Sequence, residues 1–232
     1  MTKEAFLDGQ LLLIDKPLGW TSFQAVNALK WTIRNQFNLK KLKIGHAGTL
    51  DPLATGLLLI CTGKFTKKIP NLQGQIKEYT GTITLGCTTP SYDLETEIDQ
   101  HFETAHIDAP LLKKTAAEFV GIIDQVPPVF SALKKDGKRL YEYAREGTSV
   151  EIKSRKIEIL SFEITDIEIP LVRFKVICSK GTYIRSLAYD FGKALRSGAH
   201  LSALKRTRIG DFNVDNAVTP AVFKENLSSN QE

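Results

Sequence analysis

The sequence predicts a mixed α+β fold, and three observations carry that prediction. Short apolar strands alternate with helices without the regular βαβ rhythm of a parallel sheet. Residues 77–86, Lys-Glu-Tyr-Thr-Gly-Thr-Ile-Thr-Leu-Gly, alternate between two faces as a half-buried strand does. Residues 156–169 and 172–179 form two strand-like runs about Pro170, which reads as a hairpin.

Taken in order, Leu11 to Asp15 is a short buried strand closed by Lys16-Pro17-x-Gly19. Thr21 or Ser22 can cap a helix with apolar positions Phe23, Val26, Leu29 and Ile33. A loop around Asp51 follows, then an apolar strand from Leu57. In the strand over 77–86, Tyr79 shares a face with Ile83 and Leu85, and Glu78 and the threonines take the other. Residues 88–107 are polar and aperiodic and read as a long loop or insertion. Asp108 and Pro110 start a helix that runs to about Val120. Pro127-Pro128 breaks the pattern, and Arg139 to Glu146 is a short helix stopped at Gly147. After the hairpin, Thr182 to Leu195 reads as a helix and Leu201 to Ile209 as a last strand. Thr219-Pro220 opens a terminal helix, and the final Ser-Ser-Asn-Gln-Glu should fray.

Composition narrows the setting. At 232 residues and 42% hydrophobic, the chain can bury a sizeable core. Cys61, Cys87 and Cys178 lie far apart and form no C-x-x-C pair, so a reduced intracellular setting is expected. No charged-then-apolar leader opens the chain, and no apolar run approaches the roughly 20 residues of a membrane helix. These features lead to the expectation of a soluble, cytoplasmic protein. The net charge is +5 with a pI near 9.0. Basic residues cluster at Lys40-Lys41-x-Lys43, Lys64-x-x-Lys67-Lys68, Lys134-Lys135 with Lys138-Arg139, and Lys205-Arg206-x-Arg208. Each is either a solvated face or part of a phosphate-tracking surface.

The chemistry centres on residues 45–58, Gly-His-Ala-Gly-Thr-Leu-Asp-Pro-Leu-Ala-Thr-Gly-Leu-Leu. Pro52 holds Asp51 to extended or turn geometry. Such a loop either presents an acid to a substrate or lets Asp51 bond its own backbone. His46, His101, His106 and His200 have no ligand spacing, so a metal site is not expected. Gly45-x-x-Gly48 lacks the Gly-Lys-Ser/Thr ending of a phosphate loop, and no Gly-x-Ser-x-Gly elbow exists. In Cys178-Ser-Lys-Gly-Thr-Tyr-Ile-Arg185, Tyr183 and Arg185 fall in the first turn of a helix. A cation is unfavourable there, so Arg185 either meets a carboxylate or phosphate, or forms a structural salt bridge.

The 45–58 stretch resembles the catalytic motif of the bacterial tRNA pseudouridine-55 synthases, the TruB family of pseudouridine synthases. Five further segments resemble that family in its order. They are Asp15-Lys16-Pro17-x-Gly19-Trp20-Thr21-Ser22, Lys77-x-Tyr79, Gln125-x-Pro127-Pro128-x-Phe130-Ser131-Ala132, Gly181-Thr-Tyr-Ile-Arg185-Ser-Leu, and Leu204-x-Arg206-Thr207 with Gly210-x-Phe212. The resemblance implies a pseudouridine synthase fold. That fold has a mixed, mostly antiparallel central sheet flanked by helices and loops, with an active-site cleft across the sheet. It implies Asp51 as nucleophile and Arg185 as its ion-pair partner. Tyr79 becomes the aromatic that stacks on the target base and a candidate for proton transfer. His46, Tyr183 and Leu204 become substrate contacts, and Lys16, Pro17, Gly48 and Thr49 supports of the catalytic loop.

The implied activity is isomerisation of uridine 55 in the tRNA T loop, with no cofactor and no metal. The implied partner is the T-stem-loop, bound by a monomer without an obligate protein partner or membrane. Residues 1–232 are expected to be one catalytic domain, with 88–110 as an RNA-contacting insertion and no separate C-terminal PUA-like domain. The alternatives are a non-catalytic RNA-binding or tRNA-folding module, and a nucleoside or glycoside hydrolase, whose usual second carboxylate has no partner motif here.

Overall fold

The computed structural model describes every residue except Met1, Ala132, Ser149 and 230–232. In chain order its elements are α1 (Lys3–Asp8), β1 (Leu11–Lys16), α2 (Ser22–Gln36), β2 (Ile44–His46) and β3 (Ala54–Thr62). A 3-10 turn (Gly63–Lys68), α3 (Ile69–Gly74), β4 (Lys77–Leu85), β5 (Cys87–Thr88), β6 (Gln100–His101) and α4 (Ala109–Glu118) follow. Next come β7 (Gly121–Gln125), β8 (Lys134–Lys135), β9 (Lys138–Arg139), α5 (Leu140–Arg145), β10 (Arg155–Glu168) and β11 (Leu171–Cys178). The chain closes with α6 (Ile184–Ala194), β12 (Ala199–Ile209), β13 (Phe212–Asn213) and α7 (Pro220–Ser229). Two compact units result: Met1–Tyr79 with Leu204–Glu232, and Thr80–Ala203.

In the first unit β3 is the central strand. β1 lies antiparallel along one edge, from Leu11 opposite Cys61 to Lys16 opposite Gly56. β2 is antiparallel to the end of β3, and β12 is parallel to its start, with Leu204 opposite Ala54. The run Leu57–Cys61 is wholly buried because both of its faces are covered. Leu58 and Ile60 pack with Phe6, Ile14, Val26, Leu29, Ile33 and Phe223. Leu57, Leu59 and Cys61 pack with Ala47, Leu72, Ile209 and Val214. The period of two thus splits one apolar run between two cores.

The cap expected at Thr21 is present. Its hydroxyl accepts from the Gln24 N–H at 3.0 Å, and Gln24 Oε1 accepts from the Thr21 N–H at 2.7 Å. Such a reciprocal cap stabilises the helix start by about 1 kcal/mol. Ala25, Val26, Leu29 and Ile33 face the core, but Phe23 points outward at 69% exposure. Its apolar character misplaced it on the buried stripe.

In the second unit the strand order is β12-β4-β11-β10-β7. β10 and β11 form the expected antiparallel hairpin, with Glu168 opposite Leu171. β7, which was not expected, pairs with β10 from Arg155 opposite Gln125 to Ile159 opposite Gly121. Phe162 anchors this core, with ring centroids 5.3–6.3 Å from Phe191, Phe174 and Phe119 in edge-on arrangements. The polar stretch 88–107 is more than a loop, because β5 and β6 pair within it. Ser228 and Ser229 belong to α7 rather than to a frayed end, and 230–232 lie outside the described residues. Cys61, Cys87 and Cys178 are buried and in no disulfide.

Candidate active site

In the first unit, the loop carrying Asp51 joins β2 to β3. Local turns start its geometry: the Ala54 N–H donates to the Asp51 carbonyl at 3.1 Å, and the Ala47 N–H to the Leu59 carbonyl at 2.9 Å. Distant residues then pin it. Ser22, only 2% exposed at the start of α2, accepts from the Leu50 N–H at 2.8 Å and donates to the Leu50 carbonyl at 3.0 Å. The Gly19 N–H donates to the Pro52 carbonyl at 2.9 Å. Both residues flanking Asp51 are therefore held from the β1–α2 segment.

Arg206 holds the two ends of the loop. Its Nη2 donates to the Gly48 carbonyl at 3.0 Å and its Nε to the Leu57 carbonyl at 2.7 Å. Gly56, at φ +98°, lets the Arg206 backbone come close, since a Cβ there would sit 2.3 Å from the Arg206 carbonyl oxygen. Arg206 is 1% exposed. Its expected place in a basic surface cluster is thus corrected: β12 is parallel to β3 and carries this guanidinium under the loop.

Lys16 is a second buried cation, fully enclosed at the end of β1. Its Nζ donates to the Trp20 carbonyl at 2.6 Å and to the Pro17 carbonyl at 3.1 Å. Burial lowers its pKa to about 8; Asp51 and Asp15 oppose that fall, and Arg206 adds to it. Lys16 therefore lies within electrostatic reach of Asp51 and stays mainly charged at pH 7. His46, half-buried at the end of β2, has its pKa lowered by burial and by Arg206, with a Gly48 backbone hydrogen bond opposing. It is neutral at pH 7.

Asp51, Pro17 and Gly48 are half-buried, and Thr49 is exposed. Tyr79 is buried on β4, on the face the alternation assigns it. The opposite-facing Glu78 accepts from Thr207 Oγ1 at 2.8 Å and lies 3.6 Å from Arg208. Leu204, half-buried beside Ala54, accepts from Thr55 Oγ1 at 3.3 Å. The first unit thus gathers Asp51, His46, Lys16, Gly48 and Leu204 around one loop.

The second unit holds Tyr183 and Arg185. Arg185 is 4% exposed in the first turn of α6. A carboxylate of this unit, that of Asp93, lies 3.5 Å from its Nη1. Nη1 also donates to the Ser91 carbonyl at 3.3 Å and Nη2 to the Phe130 carbonyl at 2.9 Å. Asp93 in turn accepts from the Glu95 N–H at 2.9 Å. Tyr183 is the residue capping α6 rather than part of its first turn. Gln125 brackets it, accepting from its N–H at 2.8 Å and donating to its carbonyl at 3.0 Å. The Arg155 guanidinium lies 4.7 Å from the Tyr183 ring centroid. Among the described residues no group of three His, Cys, Asp or Glu could hold a metal, and no helix is long and apolar enough to cross a membrane.

Residues 34–184 match the family model described as TruB family pseudouridylate synthase (N terminal domain). The chain belongs to the TruB family. Residues 185–232 match the tRNA pseudouridylate synthase B C-terminal domain, so the two family models meet inside α6, between Ile184 and Arg185. A Flavobacterium johnsoniae protein named tRNA pseudouridine synthase B is 67% identical over 98% of this chain and all of its own length. A protein of the same name from Parabacteroides distasonis is 50% identical over 97% of this chain and 96% of its own. Among solved structures, a chain of a Cbf5-Nop10-Gar1 complex superposes with a TM-score of 0.67 at 30% identity, covering 92% of this chain and 52% of that one. A chain of an archaeal box H/ACA sRNP Nop10-Cbf5 complex gives 0.69 at 26%, covering 98% and 56%. This chain spans about half the length of those solved chains. The TruB-family fold expected from the sequence, mixed α+β with a mostly antiparallel sheet, is thus the fold observed.

Sequence reasoning missed Ser22 as a loop support, Asp93, and the buried state of Arg206. Ser22 was visible as a helix-cap candidate and as the last residue of a family segment, neither of which points to the loop of Asp51. Asp93 sat in an aperiodic polar stretch with no local signal. Arg206 was counted among surface cations, because a charge cluster in sequence carries no information on burial.

Proposed function

We propose that this TruB-family chain isomerises uridine to pseudouridine at position 55, in the T loop of tRNA. The observation that carries this reading is the loop around Asp51, held from both sides by Ser22, Gly19 and Arg206. A single half-buried carboxylate is pinned at its neighbours, while Leu204 lies beside the same strand start. Rigid presentation of one acid suits a reaction that needs aim more than proton traffic.

The target uridine must leave the loop stack before it reacts, at a cost of a few kcal/mol. Stacking on Tyr79 returns about 1–3 kcal/mol. Asp51 then acts on the sugar at C1′, abstracts the 2′ proton, or adds to the base at C6. The C1′–N1 bond breaks, the uracil turns, and a C1′–C5 bond forms. The C5 proton is lost and N1 ends protonated, so the reaction is a redox-neutral isomerisation that calls for no cofactor. Arg185 is the ion-pair partner of Asp51 in this reading, and its bonds to Asp93 and Phe130 hold the guanidinium still. Neutral His46 and the Tyr183 ring contact the flipped nucleotide, and Leu204 closes the pocket against water. Lys16, Pro17, Gly48 and Thr49 shape the loop.

The chain acts as one catalytic domain and as a monomer on the T-stem-loop, with residues 88–110 touching RNA. A tRNA substrate implies a cytoplasmic site of action. Mass-spectrometric mapping of pseudouridine in tRNA from cells with and without the protein tests this reading. Loss of the modification at position 55 alone is the expected result. Unchanged tRNA would leave a binding or folding module and sink the enzymatic reading.

A further inference from the structure

Two tyrosines of the second unit meet at the segment that holds Arg185. The rings of Tyr92 and Tyr189 stack with centroids 4.0 Å apart and planes 17° from parallel. Tyr92 stands between Ser91, whose carbonyl accepts from Arg185 Nη1, and Asp93, whose carboxylate lies 3.5 Å from the same nitrogen. Tyr189 follows Arg185 by four residues on α6, about one turn, so the two side chains leave the helix on one face. That face grips three consecutive residues: the guanidinium takes the outer two, and the Tyr189 ring takes the one between them.

The middle residue needs holding. Tyr92 has φ +64°, in the left-handed region where a side chain with a Cβ crowds the backbone. Its N–H donates to the Thr89 carbonyl at 3.1 Å, and its carbonyl accepts from the Leu201 N–H at 2.9 Å. In this turn the Ser91 carbonyl and the Asp93 carboxylate both meet one guanidinium; relaxation of Tyr92 to negative φ would swing one of them away. Close packing does not supply the whole restraint. Both tyrosines are half-buried and line a cavity of about 420 Å³ with Thr88, Gln100 and Lys193. On that side the Tyr92 ring has room to leave, and the Tyr189 ring is what it rests on. Proton transfer is not the task of Tyr92. Burial, with Tyr189, Asp190 and Asp99 adding to it, pushes its pKa up to about 12, so it stays protonated at pH 7. We infer that the Tyr92–Tyr189 stack is a positioning device for the reaction, holding residues 91–93 in the turn that fixes Arg185. Neither tyrosine needs to touch the substrate for this. The inference rests on the proposed activity and on the part Arg185 takes in it.

The test reads single-turnover tritium release from C5-labelled uridine in a T-loop transcript. RNA affinity by fluorescence anisotropy, thermal melts and hydrogen exchange of the amides of residues 92–95 are measured beside it. Tyr92→Leu and Tyr189→Leu should each release tritium about 10- to 100-fold more slowly, the cost of a displacement of about 1 Å at a catalytic group. RNA affinity should stay at the wild-type level. Tyr189→Phe keeps the stack and should keep the rate. The double leucine variant should be no slower than its slower parent, since one contact can be lost only once. Val172→Ala, which empties a buried position near the hairpin end of β11, should lower the melting temperature and leave the rate unchanged. If Tyr189→Leu does not fold, Tyr92→Gly, which accepts a positive φ without strain, takes its place with the same expected loss of rate. Wild-type rates in both single variants overturn the inference, and so do losses that multiply in the double variant. An equal loss in Val172→Ala overturns it as well, by reducing the effect to stability. If the wild type makes no pseudouridine, the proposed activity fails and hydrogen exchange judges the stack: faster exchange at residues 92–95 in Tyr189→Leu sustains its hold on the turn, and unchanged exchange overturns it.

Discussion

Replacing Ser22 by alanine removes one oxygen from beneath the loop that carries Asp51. The hydroxyl makes two hydrogen bonds to Leu50, a residue itself only 4% exposed. Stranding the Leu50 N–H costs about 1–3 kcal/mol, and loss of the bond to its carbonyl adds roughly 1 more. A total of about 2–4 kcal/mol stays below the ~5–15 kcal/mol of a typical domain, so the variant still folds. At about 2–4 °C per kcal/mol for a chain of this size, the melting temperature should fall by roughly 4–16 °C. The functional effect is separate. Leu50 adjoins Asp51, and a displacement of about 1 Å at a reacting group can cost ~100-fold in rate. Single-turnover tritium release from C5-labelled uridine in a T-loop transcript should therefore drop 10- to 100-fold. RNA affinity should stay near the wild type. A variant whose melting temperature falls while its single-turnover rate does not would refute the reasoning. Ser22 would then hold the fold without aiming the carboxylate.

Four further outcomes are expected. Asp51→Asn should abolish tritium release while RNA affinity stays within about tenfold; substantial turnover would remove Asp51 from the nucleophile role. Arg185→Lys should be strongly impaired, because a point charge cannot span the Asp93 carboxylate and the Phe130 carbonyl as the planar group does; wild-type turnover would contradict this. Arg206→Met should lose at least about 3 kcal/mol in urea denaturation, from two hydrogen bonds of a charged donor worth ~1.5–3 kcal/mol each. A loss under ~1 kcal/mol would show that the loop ends hold without it. Lys16 has a folded pKa of about 8 against 10.5 for the free side chain, so the unfolded chain binds more protons between those values. Its penalty is complete below pH 8 and is relieved as pH rises toward 10.5, so wild type should gain stability relative to Lys16→Met over that window. A melting-temperature difference that is flat from pH 7 to 10 would contradict that titration.

Much of the fold was legible because its elements are long and locally consistent. α2 announced itself by Thr21 and its apolar spacing, β3 by a continuous apolar run, and β10–β11 by two strands about Pro170. The strands that escaped notice, β2, β5, β6, β7, β8, β9 and β13, are two to five residues long, too short to carry a periodic pattern of their own. Phe23 was misassigned for a related reason: apolar character places a residue on a helix face, but the neighbouring elements decide which face is covered.

The sequence by itself determined which acid sits in the loop, which five segments accompany it, and so which family the chain belongs to. Those are properties of residue type and order. Only the tertiary structure decided what holds that acid in place. Ser22, Gly19 and Arg206 reach the loop from segments up to 158 residues away, and Asp93 meets Arg185 across the second unit. It also decided that Arg206 is buried while the lysines at 40–43 and 64–68 are exposed. In a list of residues a buried arginine and an exposed one look alike. Burial and proximity are set by strand pairing between distant segments, and local periodicity does not reach that far.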